Sequence, residues 1–237
     1  MTSTPPAAAA SASAGEPEGA DGPRVSLGHG GINELFALLA YGEVAAFYRL
    51  TEEARMAPNL NGRINMASMA AAEMNHYEVL RDALERRGVD IVPAMTKYAS
   101  ALENYHRLTT PSTWLEALVK TYVGDALAAD FYLEIADVMP DEVADVVRSV
   151  LAETGHSQFV VAEVRAAVTA SDRQRHRLAL WSRRLLGEAI TQAQFVLADH
   201  DELVDLVMAG GGLSQMTGFF ERLQQTHSSR MQELGLA

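Results

Sequence analysis

The chain has 237 residues, of which 48% are hydrophobic, and it contains no cysteine. This composition is typical of a globular protein with one sizeable core, and it excludes disulfide frameworks and thiolate metal sites. The formal net charge of −12 disfavours non-specific binding to nucleic acid, and no apolar run approaches the ~18 residues that a membrane helix requires. We therefore expect a cytoplasmic protein without membrane segments.

The first 28 residues differ in composition from the rest. Residues 1–28 are rich in Ala, Ser, Pro, Thr and Gly and carry few large apolar side chains. Such a segment buries too little apolar surface to offset the entropy of ordering, so we predict a disordered tail. It also lacks the basic start and the apolar stretch of a secretory signal. Residues 29–237 are expected to form one helical domain.

The first two predicted helices carry polar groups on apolar faces. The first helix spans about 33–56, and Glu43 is the only charge in its apolar stripe. The second extends to about Arg87 and contains Glu73 and His76, which share one face because residues i and i+3 are neighbours on a helix. An isolated charge in such a stripe is costly to desolvate, so we expect a partner or a metal ion.

The E-x-x-H pattern then recurs, which a chance match does not explain. Glu153 and His156 repeat it in a predicted fourth helix that begins near Pro140 and runs to about Ala170. The long connection between the two halves includes a short predicted helix over 94–108, and its length allows the chain to cross a bundle. The sequence therefore predicts an internal repeat of a helix pair.

The third predicted helix offers two acids for the position equivalent to Glu43. Ser112 is its predicted N-cap, and Asp125 lies on its apolar face. The face of Asp130 continues into further acidic residues and resembles a solvated surface. The pattern favours Asp125 over Asp130.

Two further helices are predicted after the repeat. The fifth spans about 171–200 and the sixth about 214–234. Glu188 and His227 lie on their apolar faces, where they are either packed polar residues with partners or additional ligands.

If the four helices form a bundle with their polar stripes turned inward, six candidate metal ligands come together. They are Glu43, Glu73, His76, Asp125, Glu153 and His156. Four carboxylates balance two divalent cations, and without metal some of them should hold protons. Because no thiolate is present, iron or manganese suits these ligands.

These paired motifs and the six-helix layout resemble the ferritin-like superfamily of di-iron carboxylate proteins. Within it, the chain resembles the family of the tRNA 2-methylthio-N6-isopentenyladenosine hydroxylase and its actinobacterial relatives, over about residues 31–235. The resemblance implies an all-α, ferritin-like four-helix bundle with two additional C-terminal helices. It also implies that the six residues bind two iron ions (or manganese), that O2 is the co-substrate, and that a reductase or ferredoxin-type protein donates electrons. Asp125 departs from the superfamily pattern, which commonly has the longer Glu there.

Two tyrosines are candidates for a supporting role at such a site. Tyr122 lies three residues before Asp125, and Tyr77 lies four residues after Glu73. Each either hydrogen-bonds a ligand or serves as a core aromatic residue.

The substrate and the reaction leave alternatives open. The resemblance implies hydroxylation of a modified nucleoside in tRNA. The basic segment 173–184 either binds the phosphates of tRNA or is a solvated helix face. The alternatives are a ferroxidase or iron-binding protein that assembles into a homo-oligomeric shell, a bundle that a metal ion only stabilises, and a manganese enzyme that consumes peroxide.

Overall fold

The computed structural model describes residues 25–152, 157–209 and 213–237, and every regular element in these ranges is helical. The α-helices are α1 (Gly30–Glu53), α2 (Leu60–Arg86), α3 (Ile91–Leu108), α4 (Trp114–Val119), α5 (Asp125–Ala136), α6 (Asp141–Val150), α7 (Ser157–Ala170), α8 (Asp172–Asp199), α9 (Asp201–Ala209) and α10 (Leu213–Glu233). A 3-10 turn, Ala54–Met56, follows α1, and a π-helical turn, Lys120–Gly124, joins α4 to α5.

The all-α fold predicted from the sequence is thereby confirmed. The two additional C-terminal helices are α8 and α10, and the short α9 between them was not predicted.

The described chain begins before the predicted domain boundary. Residues 1–24 of the predicted tail lie outside the described residues. Val25 is buried, and its amide donates a hydrogen bond to the carbonyl oxygen of Val138 at 3.1 Å. The segment 25–28, which was expected in the tail, therefore lies against the fold.

Helices α1 and α2 form a closely packed pair joined by a short turn. The side chain of Asn59 caps α2 by accepting a hydrogen bond from the amide of Gly62 at 2.8 Å. Gly88 follows the end of α2 with a φ of +72°, a left-handed conformation that glycine adopts without a steric penalty. The cap at Asn59 and the glycine at 88 mark the two ends of α2, and the observed bounds of α1 and α2 lie within a few residues of the predicted ones.

The connection between the two halves of the bundle is itself a full helix. α3 begins three residues earlier than predicted and packs against α1 and α8. The next helix starts after Thr113, whose hydroxyl accepts a hydrogen bond from the amide of Glu116 at 3.3 Å, so the predicted cap at Ser112 is wrong by one residue. Ser112 instead donates its own hydroxyl to the Glu116 carboxylate at 2.6 Å.

The predicted fourth helix is divided. α6 ends at Val150, and residues 151–152 lie outside a helix before the chain resumes as α7 at Ser157. The prediction of one continuous helix over 140–170 is therefore wrong, and the interruption directly precedes the second E-x-x-H motif.

Two apolar clusters form the core. The first contains Leu35, Leu39, Leu84, Tyr98, Val147 and Leu206, with other buried residues. The second contains Leu50, Met66, Leu118, Val164, Leu185 and Met231, with other buried residues. Along α1 and α2, the three predicted metal ligands Glu43, Glu73 and His76 lie between the two clusters. In the described part of the chain, no helix combines the length and the apolar character needed to span a membrane.

Candidate metal centre

Three of the predicted ligands meet where α1 faces α2. Glu43 is 8% exposed and lies one turn beyond Leu39 and Ala40 of the first cluster. Glu73 and His76 project side by side from α2, as their i,i+3 spacing requires. Nδ1 of His76 lies 3.4 Å from a carboxylate oxygen of Glu43 and 3.4 Å from one of Glu73. One ligand atom from each residue lies within 4.8 Å of the other two, so the donors converge.

The three side chains differ in how readily they bind protons when no metal is bound. Burial, together with the adjacent Glu73 carboxylate, raises the pKa of Glu43 well above its usual value. Burial opposes the charge of Glu73 as well, but hydrogen bonds from His76 and Glu43 outweigh it and lower the pKa of Glu73. Hydrogen bonds to the two carboxylates raise the pKa of His76 to about 9. Protons and a divalent cation therefore compete for Glu43 and His76, and binding of the ion releases protons from this group.

The donor set fits a divalent ion. Two carboxylates and an imidazole are oxygen and nitrogen ligands that iron(II) and manganese(II) accept, and the two negative charges balance the charge of the ion. A cavity of about 630 Å³, here called the large cavity, adjoins the group and includes Glu43, Glu73 and His76 in its walls. The described residues thus supply three ligands for one ion and leave space for a further molecule beside it.

Asp125, the predicted ligand from the third helix, is paired with an arginine. Both of its carboxylate oxygens accept hydrogen bonds from Nη2 of Arg49, at 2.8 and 2.9 Å. Nη1 of Arg49 donates to Glu53 and to Thr121 at 3.1 Å each, and only 6% of this arginine is exposed. Asp125 lines the large cavity, and 42% of its side chain is accessible. Desolvation nevertheless raises its pKa to about 6, although the charge of Arg49 acts to lower it. Its role as a ligand stays a prediction, and each carboxylate oxygen keeps a second lone pair that a metal ion can use beside Arg49.

Asp130, the alternative acid, is also held by an arginine. Its two oxygens accept hydrogen bonds from Nη1 and Nη2 of Arg230 on α10, at 2.5 and 2.8 Å, and 23% of its side chain is accessible. Asp130 is therefore less exposed than the solvated face predicted for it, because Arg230 of α10 covers it, whereas Asp137 on the same face is 74% accessible. Glu134, one turn further along α5, pairs with Arg222 of the same covering helix.

A comparison with known families decides the broader identity. A family model described as "Ferritin-like domain, actinomycetes" matches residues 29–210, which is most of the chain. The chain belongs to this family. No curated protein matches the chain. The ferritin-like superfamily predicted from the two motifs is thereby confirmed, whereas membership of the narrower tRNA hydroxylase family stays a prediction.

The second E-x-x-H motif of this ferritin-like domain lies outside the described residues, which omit 153–156 and with them Glu153 and His156. The preceding residues Leu151 and Ala152 line the large cavity. A second ion, which needs ligands beyond the three that converge, stays a prediction.

The two tyrosines lie in different surroundings. Tyr122 lines the large cavity, and its hydroxyl donates a hydrogen bond to the Glu233 carboxylate on α10. Tyr77 packs against the first apolar cluster. Their supporting role at the metal centre stays a prediction for both.

The two polar candidates of the C-terminal helices do not join the converging group of described residues. A carboxylate oxygen of Glu188 lies 4.0 Å from Nε of Arg184. His227 is 3% exposed, and neither ring nitrogen has a hydrogen-bond partner among the described residues. Burial lowers the pKa of His227 and so disfavours its charged form.

Sequence reasoning missed a buried cationic group beside the centre. Besides Arg49, it contains Lys120 of the π-helical turn, which is 2% exposed and donates to the carbonyl oxygen of Thr109 at 2.9 Å. Burial lowers the pKa of Lys120 to about 8. One signal was present in the sequence, because Arg49 and Glu53 have the i,i+4 spacing of an ion pair and flank the apolar Leu50.

Proposed function

We propose that this ferritin-like domain is an iron-dependent, oxygen-activating hydroxylase. The observation that carries the proposal is the convergence of Glu43, Glu73 and His76 beside the large cavity. A purely structural ion is usually enclosed by its protein ligands, whereas a catalytic ion keeps a position open for a reactant. The adjoining cavity therefore favours chemistry over a structural role.

The reaction converts a C–H bond, O2, two electrons and two protons into a C–OH group and water. When bound, iron would supply the one-electron chemistry, and an external reductase or ferredoxin-type protein would supply the electrons. Glu43 and Glu73 would hold the ion through their charges, and His76 would bind it after losing its extra proton. The apolar clusters on both sides would keep bulk water from the reacting atoms.

The proposal leaves the predicted tRNA substrate without structural support. In the basic segment at the start of α8, Arg175 pairs with Asp172 and Arg177 pairs with Glu116. Ion pairing reduces the positive charge that this segment offers to phosphates. Hydroxylation of a tRNA nucleoside stays a prediction from the resemblance.

Anaerobic titration of the metal-free protein with Fe(II), followed by admission of oxygen, tests the proposal. We expect tight binding of at least one Fe(II) per chain and an optical change when oxygen is added. Glu73→Gln and His76→Gln should each weaken binding by about 100-fold, equivalent to about 2.7 kcal/mol, because each removes a ligand. The matched control is Glu78→Gln, which changes an exposed acid on the same helix and should bind Fe(II) as the wild type does.

The same titration separates the alternatives. A second iron that is present in the wild type and lost in His156→Ala would assign the second E-x-x-H motif to a two-iron centre. Iron that binds but stays inert to oxygen would contradict the hydroxylase and leave a structural ion. Oxidised iron that accumulates as a mineral would instead identify a ferroxidase.

A further inference from the structure

An apolar cavity of about 150 Å³ lies inside the domain, between α1, α3, α5, α8 and α9. Its described walls carry no charged side chain, and they include Leu38, Leu127, Phe131, Ile135, Val196 and Leu203. This volume is similar to that of an engineered apolar cavity that binds benzene. We call this space the apolar cavity, to distinguish it from the large cavity at the metal centre.

One polar group in its wall lacks a partner. The hydroxyl of Tyr105, on α3, is buried and makes no hydrogen bond with any described residue. A Cβ atom added at Gly124 would lie 3.0 Å from this hydroxyl oxygen, so the tyrosine reaches the backbone of the π-helical turn. A buried hydroxyl without a partner typically costs about 1–3 kcal/mol. A bound molecule that accepts its proton would remove this cost.

The apolar cavity and the large cavity share a wall. Leu102, Tyr105, Gly124, Ala128 and Tyr132 line both of them. Two of these five residues, Gly124 and Ala128, have little or no side chain to add to this wall. A molecule in the apolar cavity therefore lies directly behind the space into which the metal ligands project.

We propose that the apolar cavity binds a small, uncharged, hydrocarbon-rich molecule whose one oxygen atom accepts a hydrogen bond from Tyr105, and that molecules of this class are the substrates hydroxylated at the metal centre. The binding itself follows from the cavity and the unpaired hydroxyl. The role of the bound molecule as substrate rests on the proposed function.

The class of ligand follows from the lining. A charged molecule is excluded because the described walls offer no opposite charge to offset its desolvation. A pure hydrocarbon would fill the space but leave Tyr105 unpaired. A small ketone or ester close to benzene in size satisfies both the volume and the hydroxyl.

Two probes of matched shape test the hydrogen bond in the metal-free protein. Acetophenone carries a carbonyl oxygen where α-methylstyrene carries a methylene group. We expect saturable binding of both by calorimetry, with acetophenone about fivefold tighter, equivalent to about 1 kcal/mol. Tyr105→Phe should abolish this difference while it retains the affinity for α-methylstyrene. An unchanged difference in Tyr105→Phe would overturn the assignment of Tyr105.

Filling the cavity tests its location. Ala193 of α8 lines the apolar cavity, so Ala193→Phe should abolish the binding of both probes. The matched control is Ala198→Phe, an exposed position on the same helix, which should bind both probes as the wild type does. Helical circular dichroism would confirm that both variants fold.

The outcomes separate this inference from the proposed function. The absence of saturable binding by the wild type, or equal binding by Ala193→Phe, would overturn the inference even if iron binds and reacts with oxygen. Probe binding with the expected dependence on Tyr105, in a protein whose iron stays inert, would support the cavity and contradict only the hydroxylase.

Discussion

Arg49 is a fixed cation inside the bundle, and it joins carboxylates from two helices. It donates to Glu53 on its own helix and to Asp125 on α5. Removing one partner of a buried ion pair leaves an uncompensated charge and typically costs about 3–5 kcal/mol. We therefore expect Arg49→Met to lower the free energy of unfolding in urea by that order. The matched control is Arg148→Met, whose two aspartate partners are exposed, and it should cost less than about 1 kcal/mol.

Equal losses in the two variants would contradict this account of Arg49. They would mean that Asp125 and Glu53 find other partners, such as Lys120 or a bound ion, once the guanidinium is removed. Repeating the measurement with Mn(II) present would show whether a released Asp125 then strengthens metal binding.

At the scale of elements, replacing glycine by alanine should change the stability of the fold in opposite directions at two positions. Gly88 ends α2 with a φ of +72°, where a side chain typically costs about 1 kcal/mol. Gly187 lies inside α8, with open space where a Cβ atom would stand, and alanine there gains about 0.8–1 kcal/mol of helix propensity. We expect Gly88→Ala to lower the urea midpoint of unfolding and Gly187→Ala to raise it. A lower midpoint for Gly187→Ala would show that α8 needs this glycine.

The helices were predictable where local signals determine them. The i,i+3 spacing of Glu73 and His76 and the stop at Gly88 act within a few residues, and their consequences agree with the structure. The partners of the acidic residues in the third predicted helix were harder to predict, because spacing alone does not distinguish a carboxylate that faces an ion from one that faces an arginine. The pairing of Asp125 with Arg49 joins residues 76 positions apart, so it depends on where the whole bundle places α5 relative to α1. The end of α6 at Val150 was not predictable either, because the nearest Gly or Pro that follows it is Gly155, five residues later.

For the molecule as a whole, the metal centre is a polar layer within an otherwise apolar core. On α1, Glu43 lies between Ala40 of the first cluster and Leu50 of the second, and on α2 the other two ligands lie between the same clusters. The buried carboxylate of Glu43 destabilises the metal-free fold, because desolvation and the neighbouring charge of Glu73 both oppose its ionisation. Function and stability are therefore opposed at this layer, and a substitution that removes the metal site should stabilise the metal-free protein.

Glu43→Gln tests this opposition. The raised pKa of Glu43 keeps its proton on the folded protein at pH values where the unfolded chain, with its usual value of 4.5, has lost it. Stability is thus full below about pH 4.5 and falls as the pH rises towards the folded-state pKa. Glutamine is neutral at every pH and still donates a hydrogen bond to Glu73. The metal-free variant should therefore melt at a higher temperature than the wild type at pH 8 and at nearly the same temperature at pH 4.5.

Bound metal should reverse the order of the two melting temperatures at pH 8, so that the wild type melts above Glu43→Gln. Mn(II) at about 100 times its dissociation constant stabilises a protein that binds it only when folded by about 2.7 kcal/mol, and Glu43→Gln should lose this gain because it lacks a ligand. Thermal melts of both proteins, with and without Mn(II), measure the two effects together. If the variant melts at or below the wild type without metal at pH 8, the carboxylate is not destabilising. If Mn(II) still raises its melting temperature as it does for the wild type, Glu43 does not bind the ion.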